Sequence, residues 1–369
     1  MQEILALRKI VSELKKGERS GEEKPVLGWT CTYIPLEIFE AAGLRPYRIL
    51  PEPSSERADA YLDPNFCPFI KTCLGKAIEG GYAFLSGIVV VNTCDGMRRL
   101  YDAWQFYGSP PFSFLLDLPR IITPSSVAYF RDRLEALVTE IGRYFDVKVN
   151  ENELALATEE ANVTRSLLRR LLALQGRGHP PLRHGDILDI FAAGWRSPRK
   201  AFNQALERLL SKLEAEDEIS PKMIKLLLTG SLLDGSRLVR LVEALGAEVV
   251  ATDICTGGRF PDNVVLSSDP LYALSEAYLK KTPCARMFDT KRRISFLKMA
   301  VNRTGAQGLI YFSLKFCDPY LYEAPAIQSA MRKMGIPVLF IEGEYTGRIG
   351  GGTRTRVQAF LEMLERNAA

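Results

Sequence analysis

Histidine is almost missing from this chain: His179 and His184 are the only two in 369 residues. Both flank a Pro-rich turn far from any cysteine, which leaves little from which to build a Cys/His nucleophile pair or a mixed Cys/His zinc site. No two cysteines stand in CxxC spacing, so the short-spaced zinc ribbon is excluded as well. No GxxxxGK[ST] segment occurs, and with it the usual phosphate loop for ATP is absent. Charge of one sign is also scarce. The net charge is +4, and no Lys/Arg block is long enough for a nucleic-acid arm, so no DNA or RNA partner is expected. No apolar run reaches the roughly 18 residues of a membrane span. The opening MQEILALRKIVSELKKGERSGEEKP has no apolar h-region and reads as an amphipathic helix of mixed charge. These absences predict a soluble, cytoplasmic protein with no membrane partner.

What is present is ordinary in bulk and orderly in pattern. An apolar share of 47% and a charged share of 25% belong to a globular protein, and the length suits two or three domains. PVLGWT at 25–30 reads as a strand, PLEIFEAAG as a helix stopped by Gly43, and PYRIL as a second strand. A loop and helix follow over 61–80. FLSGIVVVN at 84–92 is continuously apolar and β-branched, the mark of a strand buried on both faces of a parallel sheet. A helix follows Thr93, Cys94, Asp95 and Gly96, and PFSFLLDLP at 111–119 is a further strand. Between about 125 and 216 apolar residues recur at i, i+3, i+4, as in amphipathic helices. From Pro221 strands and helices alternate again: KMIKLLLTG, SRLVRLVEALG closed by Gly246, AEVVATDI, a loop, a helix near 290–303, AQGLIYFSL, EAPAIQSAMRKMG, IPVLFIEGE and RTRVQAFLEMLERN. Alternation of this kind predicts an α/β protein with parallel sheets. The expected domains are 1–125 and 218–369, both α/β, with a helical segment at 126–217.

Seven cysteines remain to be placed. Their odd number and the lack of a signal peptide argue against a disulfide framework. Cys31, Cys94, Cys255 and Cys317 each follow a predicted strand, and the crevice beyond strand carboxyl ends is where open α/β sheets bind ligands. Cys67 and Cys284 sit in loops ahead of predicted helices, whose N-termini favour thiolates and anionic clusters. Cys73 falls inside a helix and reads as a packing residue. Pattern alone leaves iron–sulfur ligation and inert buried thiols both open.

The segments WTCTYIPLEIFEAAGLRP, NFCPFIKT, NTCDGMRRLYDAW, FCDPY and IEGEYTGRIGGGTRTRVQAFLEML together resemble the 2-hydroxyacyl-CoA dehydratase / benzoyl-CoA reductase family, from about residue 20 to the C-terminus. The resemblance implies two Rossmann-like, doubly wound parallel-sheet domains with a helical segment between them. It implies a [4Fe-4S] cluster on Cys67, Cys94 and Cys317. The additional Cys31 in CTYIP, Cys255 in DICTGG and Cys284 in TPCARMFD are similar to the double-cubane branch of that family. That likeness implies two [4Fe-4S] cubanes bridged by a sulfide ([8Fe-9S]), the second held by Cys31, Cys255 and Cys284. It further implies a homodimer, a separate ATP-hydrolysing iron–sulfur reductase as electron donor, and reduction of a small-molecule substrate. A subunit of an acyl-CoA dehydratase or aromatic acyl-CoA reductase with one cluster is the alternative, and a non-catalytic electron carrier a third.

No side chain declares itself an acid or base. Asp95, Asp318, Glu342, Glu344 and Tyr345 lie at predicted strand ends, where each serves equally well as a cap or a solvated residue. The Gly-rich turn from Gly347 to Gly352 reads as a cap of the last helix rather than a phosphate site.

Overall fold

The computed structural model describes residues 24–52, 57–176, 181–215 and 223–368. The amphipathic N-terminal helix, His179 and the start of the strand at Pro221 lie outside the described residues.

Two four-stranded sheets carry the fold, and every strand pair in both is parallel. The first contains β1 (Val26–Trp29), β2 (Arg45–Arg48), β3 (Gly87–Asn92) and β4 (Ser113–Asp117), in the order β2-β1-β3-β4. The second contains β5 (Ile224–Gly230), β6 (Ala247–Asp253), β7 (Gly308–Leu314) and β8 (Val338–Gly343), in the order β6-β5-β7-β8. In each sheet the chain starts in the middle, winds to one edge and returns to wind toward the other. The topological switch therefore falls between β1 and β3 in one sheet and between β5 and β7 in the other, and such points open ligand crevices. The fold is thus two Rossmann-like, doubly wound α/β units, as the alternation of strands and helices predicts.

The residues explain the elements. In β3 the run Ile88 to Val91 is fully buried, as β-branched residues covered on both faces should be. Helices α1 (Leu36–Ala41), α2 (Pro68–Ile78) and α3 (Asp95–Ala103) connect the first sheet, and a single π-helical turn at Trp104–Gly108 ends α3. Gly230 ends β5 with φ +139, and a Cβ there would stand 1.8 Å from the Phe312 carbonyl oxygen of β7. Only glycine lets these two central strands approach so closely.

Four long helices follow the first sheet: α4 (Pro124–Phe145), α5 (Glu151–Ala173), α6 (His184–Gly194) and α7 (Arg199–Leu213). Thr123 caps α4 by accepting from the Ser126 amide at 3.1 Å, and Asn150 caps α5 by accepting from the Glu153 amide at 2.9 Å. A leucine- and phenylalanine-rich core joins α5, α6 and α7. The main core is continuous through both sheets.

Helices α8 (Arg237–Ala244), α9 (Pro270–Lys280), α10 (Thr290–Thr304), α11 (Asp318–Arg332) and α12 (Gly351–Ala368) complete the second half. Two of them differ from the sequence-based expectation. Helix α9 lies where a loop was expected; Asp269 caps it by accepting from the Tyr272 amide at 2.9 Å, with Pro270 at the first helical position. Helix α11 begins at Asp318, five residues ahead of EAPAIQSAMRKMG, and takes Pro325 into its interior. A proline that usually opens a helix is tolerated here because the helix is long and packed along its length.

Candidate functional site

Five of the six cysteines singled out by position lie at an element end. Cys31 follows β1 and Cys94 follows β3, so these two leave the strands on either side of the first switch point. Cys255 follows β6 and Cys317 follows β7 of the second sheet. Cys67, Cys94 and Cys317 are the N-cap residues of α2, α3 and α11, and none spends its side chain on capping. Three helix N-termini thus present free amides and positive dipole ends beside these three thiols. Cys284 lies in the turn between α9 and α10 and is buried.

The thiols fall into two neighbourhoods. In the first, hydrogen bonding with Cys317 holds the Cys67 thiol below its usual range. The same bond, with burial, pushes the Cys317 thiol well up. Cys94 adds to the negative potential at Cys67. In the second, burial pushes Cys31 up to about 11, with Cys284 reinforcing the shift and Lys281 and Arg286 opposing it. Burial pulls Lys281 down to about 8 against the pull of Cys31, Cys284 and Cys255. Arg286 stands between the two groups, feeling Cys94 and Cys317 on one side and Cys284 on the other.

Cations surround these thiols with little to balance them. Arg48 is fully buried beside Cys255 and Cys31; none of its three guanidinium nitrogens has an oxygen or nitrogen acceptor, and the hydrogen-bonding group it faces is the Cys255 thiol. It is packed against the rings of Trp29 at 4.9 Å and Trp195 at 5.4 Å. Lys281 is buried over the Tyr33 ring at 4.1 Å and donates to the Thr32 carbonyl at 2.8 Å and its hydroxyl at 2.6 Å. Arg286 stacks on Tyr320 at 5.6 Å. Among the described residues no carboxylate pairs with Arg48, Lys281 or Arg286. The hydroxyls of Thr30, Tyr33 and Thr256 nearby are buried without a partner too. A pocket of thiols, buried cations that no carboxylate pairs and idle donors has room for an anion. A thiolate-bound iron–sulfur cluster has the charge and the sulfur acceptors to fit it. Among the described residues no three His, Cys, Asp or Glu side chains gather closely enough to hold a single metal ion. A cubane spreads its ligands over separate irons, so it needs no such gathering.

A second, neutral network keeps the loops of this site in place. Asp253, at the end of β6, accepts from Arg259 at 2.6 Å, Arg293 at 2.8 Å and Thr229 at 2.6 Å, all buried. Against the cost of burial, the two guanidiniums hold its carboxyl far below the usual range. Arg293 also pairs with Glu323 at 2.7 Å and donates to the Pro283 carbonyl at 3.1 Å. Arg259 donates to the Tyr320 hydroxyl, and its carbonyl accepts from Lys281 at 3.3 Å. The turns bearing Cys255 and Cys284 are thereby tied to β5, β6 and α11.

The remaining candidates are engaged elsewhere. Cys73 is fully buried in α2, its thiol pushed up by burial alone. Asp95 is exposed and paired with Arg98 at 3.0 Å, and Glu344 with Lys315 at 2.6 Å. Asp318 and Glu342 are exposed. Tyr345 donates its hydroxyl to the Pro51 carbonyl at 3.0 Å. His184, buried, bridges Gln175 and Thr252. The Gly347 amide donates to Asp234 at 2.8 Å, so a carboxylate of the β5 loop already stands at the glycine-rich turn. Sequence reasoning missed Arg48, Lys281 and Arg286. The two that flank Cys284 in KKTPCAR carried a signal; Arg48 carried none.

The family described as "2-hydroxyglutaryl-CoA dehydratase, D-component" matches residues 31–364. The chain belongs to this family. A putative dehydratase subunit, YjiM, of Escherichia coli K12 is 27% identical over 92% of this chain and 91% of its own length. The (R)-phenyllactyl-CoA dehydratase beta subunit of Clostridium sporogenes is 22% identical over 95% and 94%. A benzoyl-CoA reductase subunit of Thauera aromatica is 23% identical over 94% and 92%. The resemblance read from the cysteine segments is therefore borne out at the level of the family, which is one of enzyme subunits. Among the described residues no helix is long and apolar enough to cross a membrane.

Proposed function

We propose that this chain is the reductase component of a two-part system. It would receive low-potential electrons from a separate ATP-hydrolysing iron–sulfur protein and reduce a small molecule at a double-cubane cluster. Cys67, Cys94 and Cys317 would hold one [4Fe-4S] cubane and Cys31, Cys255 and Cys284 the other. The observation that carries this reading is the second neighbourhood. Three strand-end and turn thiols beyond those needed for one cluster face buried cations that no carboxylate balances.

When bound, such a group supplies reversible one-electron storage at low potential. The chain's own residues do the rest. Arg48, Lys281 and Arg286 offset thiolate charge, and the helix N-termini at Cys67, Cys94 and Cys317 add partial positive charge. ATP would be hydrolysed by the partner, since the chain lacks a phosphate loop. A homodimer in the cytoplasm belongs to the same reading.

The names of the relatives favour a second reading, a dehydratase subunit with a single [4Fe-4S] cluster. Iron and acid-labile sulfide per chain after anaerobic purification separate the two. The first requires about eight irons, the second about four. Cys255→Ser or Cys284→Ser should remove about half the iron, whereas Cys73→Ser should leave it intact. Full iron in the Cys255 and Cys284 variants would abolish the second cubane.

A further inference from the structure

Arg48 is the odd member of the cation set. Lys281 donates to Thr32, and Arg259 and Arg293 are paired with Asp253. Among the buried arginines of the described residues, Arg48 alone has no oxygen or nitrogen acceptor at any of its three guanidinium nitrogens. Two indole faces hold it, and its own backbone amide is bonded to the Trp195 carbonyl at 3.3 Å. Aromatic rings attract a cation but accept no N–H bonds in the manner of oxygen or sulfur. The acceptors in reach are sulfurs: the guanidinium lies against Cys255 and Cys31.

We infer that Arg48 is a positioning residue for the group proposed on Cys31, Cys255 and Cys284, donating to sulfur there and holding up its reduction potential. The inference rests on the double-cubane reading and deepens it. Reduction adds negative charge, so a fixed cation and N–H donors at the sulfurs favour the reduced state. A guanidinium suits this task because it stays charged and presents its donors as a rigid fork. The same geometry fixes a second consequence. Without the cluster, Arg48 is a buried charge with no anion, which costs stability. With the cluster, it is satisfied. Arg48 should therefore destabilise the apo protein and favour reduction of the holo protein.

Arg48→Met, of similar length and uncharged, and Arg48→Lys, charged but unforked, test this. Thermal unfolding of iron-free protein is compared with an EPR-monitored redox titration of anaerobic holoprotein, with iron counted in each sample. Iron-free Arg48→Met should melt above iron-free wild type. At full iron, one of two reduction steps should become at least tenfold less favourable, 59 mV for a one-electron couple, while the other stays put. Arg48→Lys should fall between. If the methionine variant fails to load iron, the apo comparison and the lysine titration decide. An apo melting point that falls, or potentials that do not move at about eight irons, overturns the role of Arg48 alone. Wild type with about four irons and one reduction step overturns the double-cubane reading together with it.

Discussion

Cys73 and Cys317 are almost equally hidden from solvent, but they sit in different chemistry. Around Cys73 only burial acts, whereas Cys317 is hydrogen-bonded with Cys67 and faces Arg286. Position in the chain already separated them: one falls mid-helix, the other at a strand's end. The cations were less legible. Lys281 and Arg286 flank Cys284 in the sequence, but Arg48 is buried by Trp195, which arrives from α6 far along the chain, and no local pattern announces that. Asp253 is equally hidden from sequence reasoning, since its partners Arg259 and Arg293 come from a turn and a distant helix. Removing its charge leaves buried Arg259 without an anion and Arg293 with Glu323 alone. Asp253→Asn should therefore lower stability by about 3–5 kcal/mol, read by urea unfolding of the iron-free protein at pH 7. A loss below about 1 kcal/mol, the range of a surface pair, would show the network to be dispensable.

Strands and long helices were readable because their periodicity is strong and their caps are near in sequence. Helix α9 was not, although its signal was present in Asp269 and Pro270, because the stretch before it is irregular and the helix lies between two cysteine loops. The boundary of α11 was obscured by Pro325. One helix start has a consequence that pH reveals. His184 opens α6 and docks it on β6 through Thr252 at 2.9 Å, with Gln175 on the other ring nitrogen. Burial pulls its pKa from 6.5 down to about 4. Below 6.5 the unfolded chain binds a proton that the folded chain refuses. Stability is thus complete above pH 6.5 and falls as the pH drops toward 4, by about 3 kcal/mol in all. Urea unfolding at pH 7.0 and 4.5 should show this loss, and His184→Gln should shrink it. A variant with the wild-type pH dependence would remove His184 as the cause.

At the scale of the whole molecule, two sheets and a helical segment meet, and a buried clasp holds all three. Glu37 of α1 pairs with Arg165 of α5 and accepts from the Tyr278 hydroxyl of α9 at 2.8 Å. Arg199 of α7 binds Glu40 beside it at 2.7 Å. The clasp holds no cysteine, whereas the proposed cluster would bind the cysteine turns. Iron removal should accordingly raise amide exchange over 254–262 and 281–289, while amides around Glu37, Arg165 and Tyr278 keep their protection. Equal exchange in the presence and absence of iron would show that the turns are set by Asp253 and its partners alone. The parallel-sheet architecture was legible as a whole, and the clasp was not, since its members pair across more than a hundred residues.

The six cysteines proposed as ligands run from just after the first strand to the start of α11, so no short stretch of nascent chain can gather them. During synthesis both sheets must form before a complete set of thiols exists. On the double-cubane reading, the cluster would have to be delivered into a finished fold, and a folded iron-free protein would precede it. That stage carries buried positive charge that nothing yet offsets, which makes it the form most exposed to proteolysis. In cells starved of iron, turnover of this protein should be set by how long the empty fold survives.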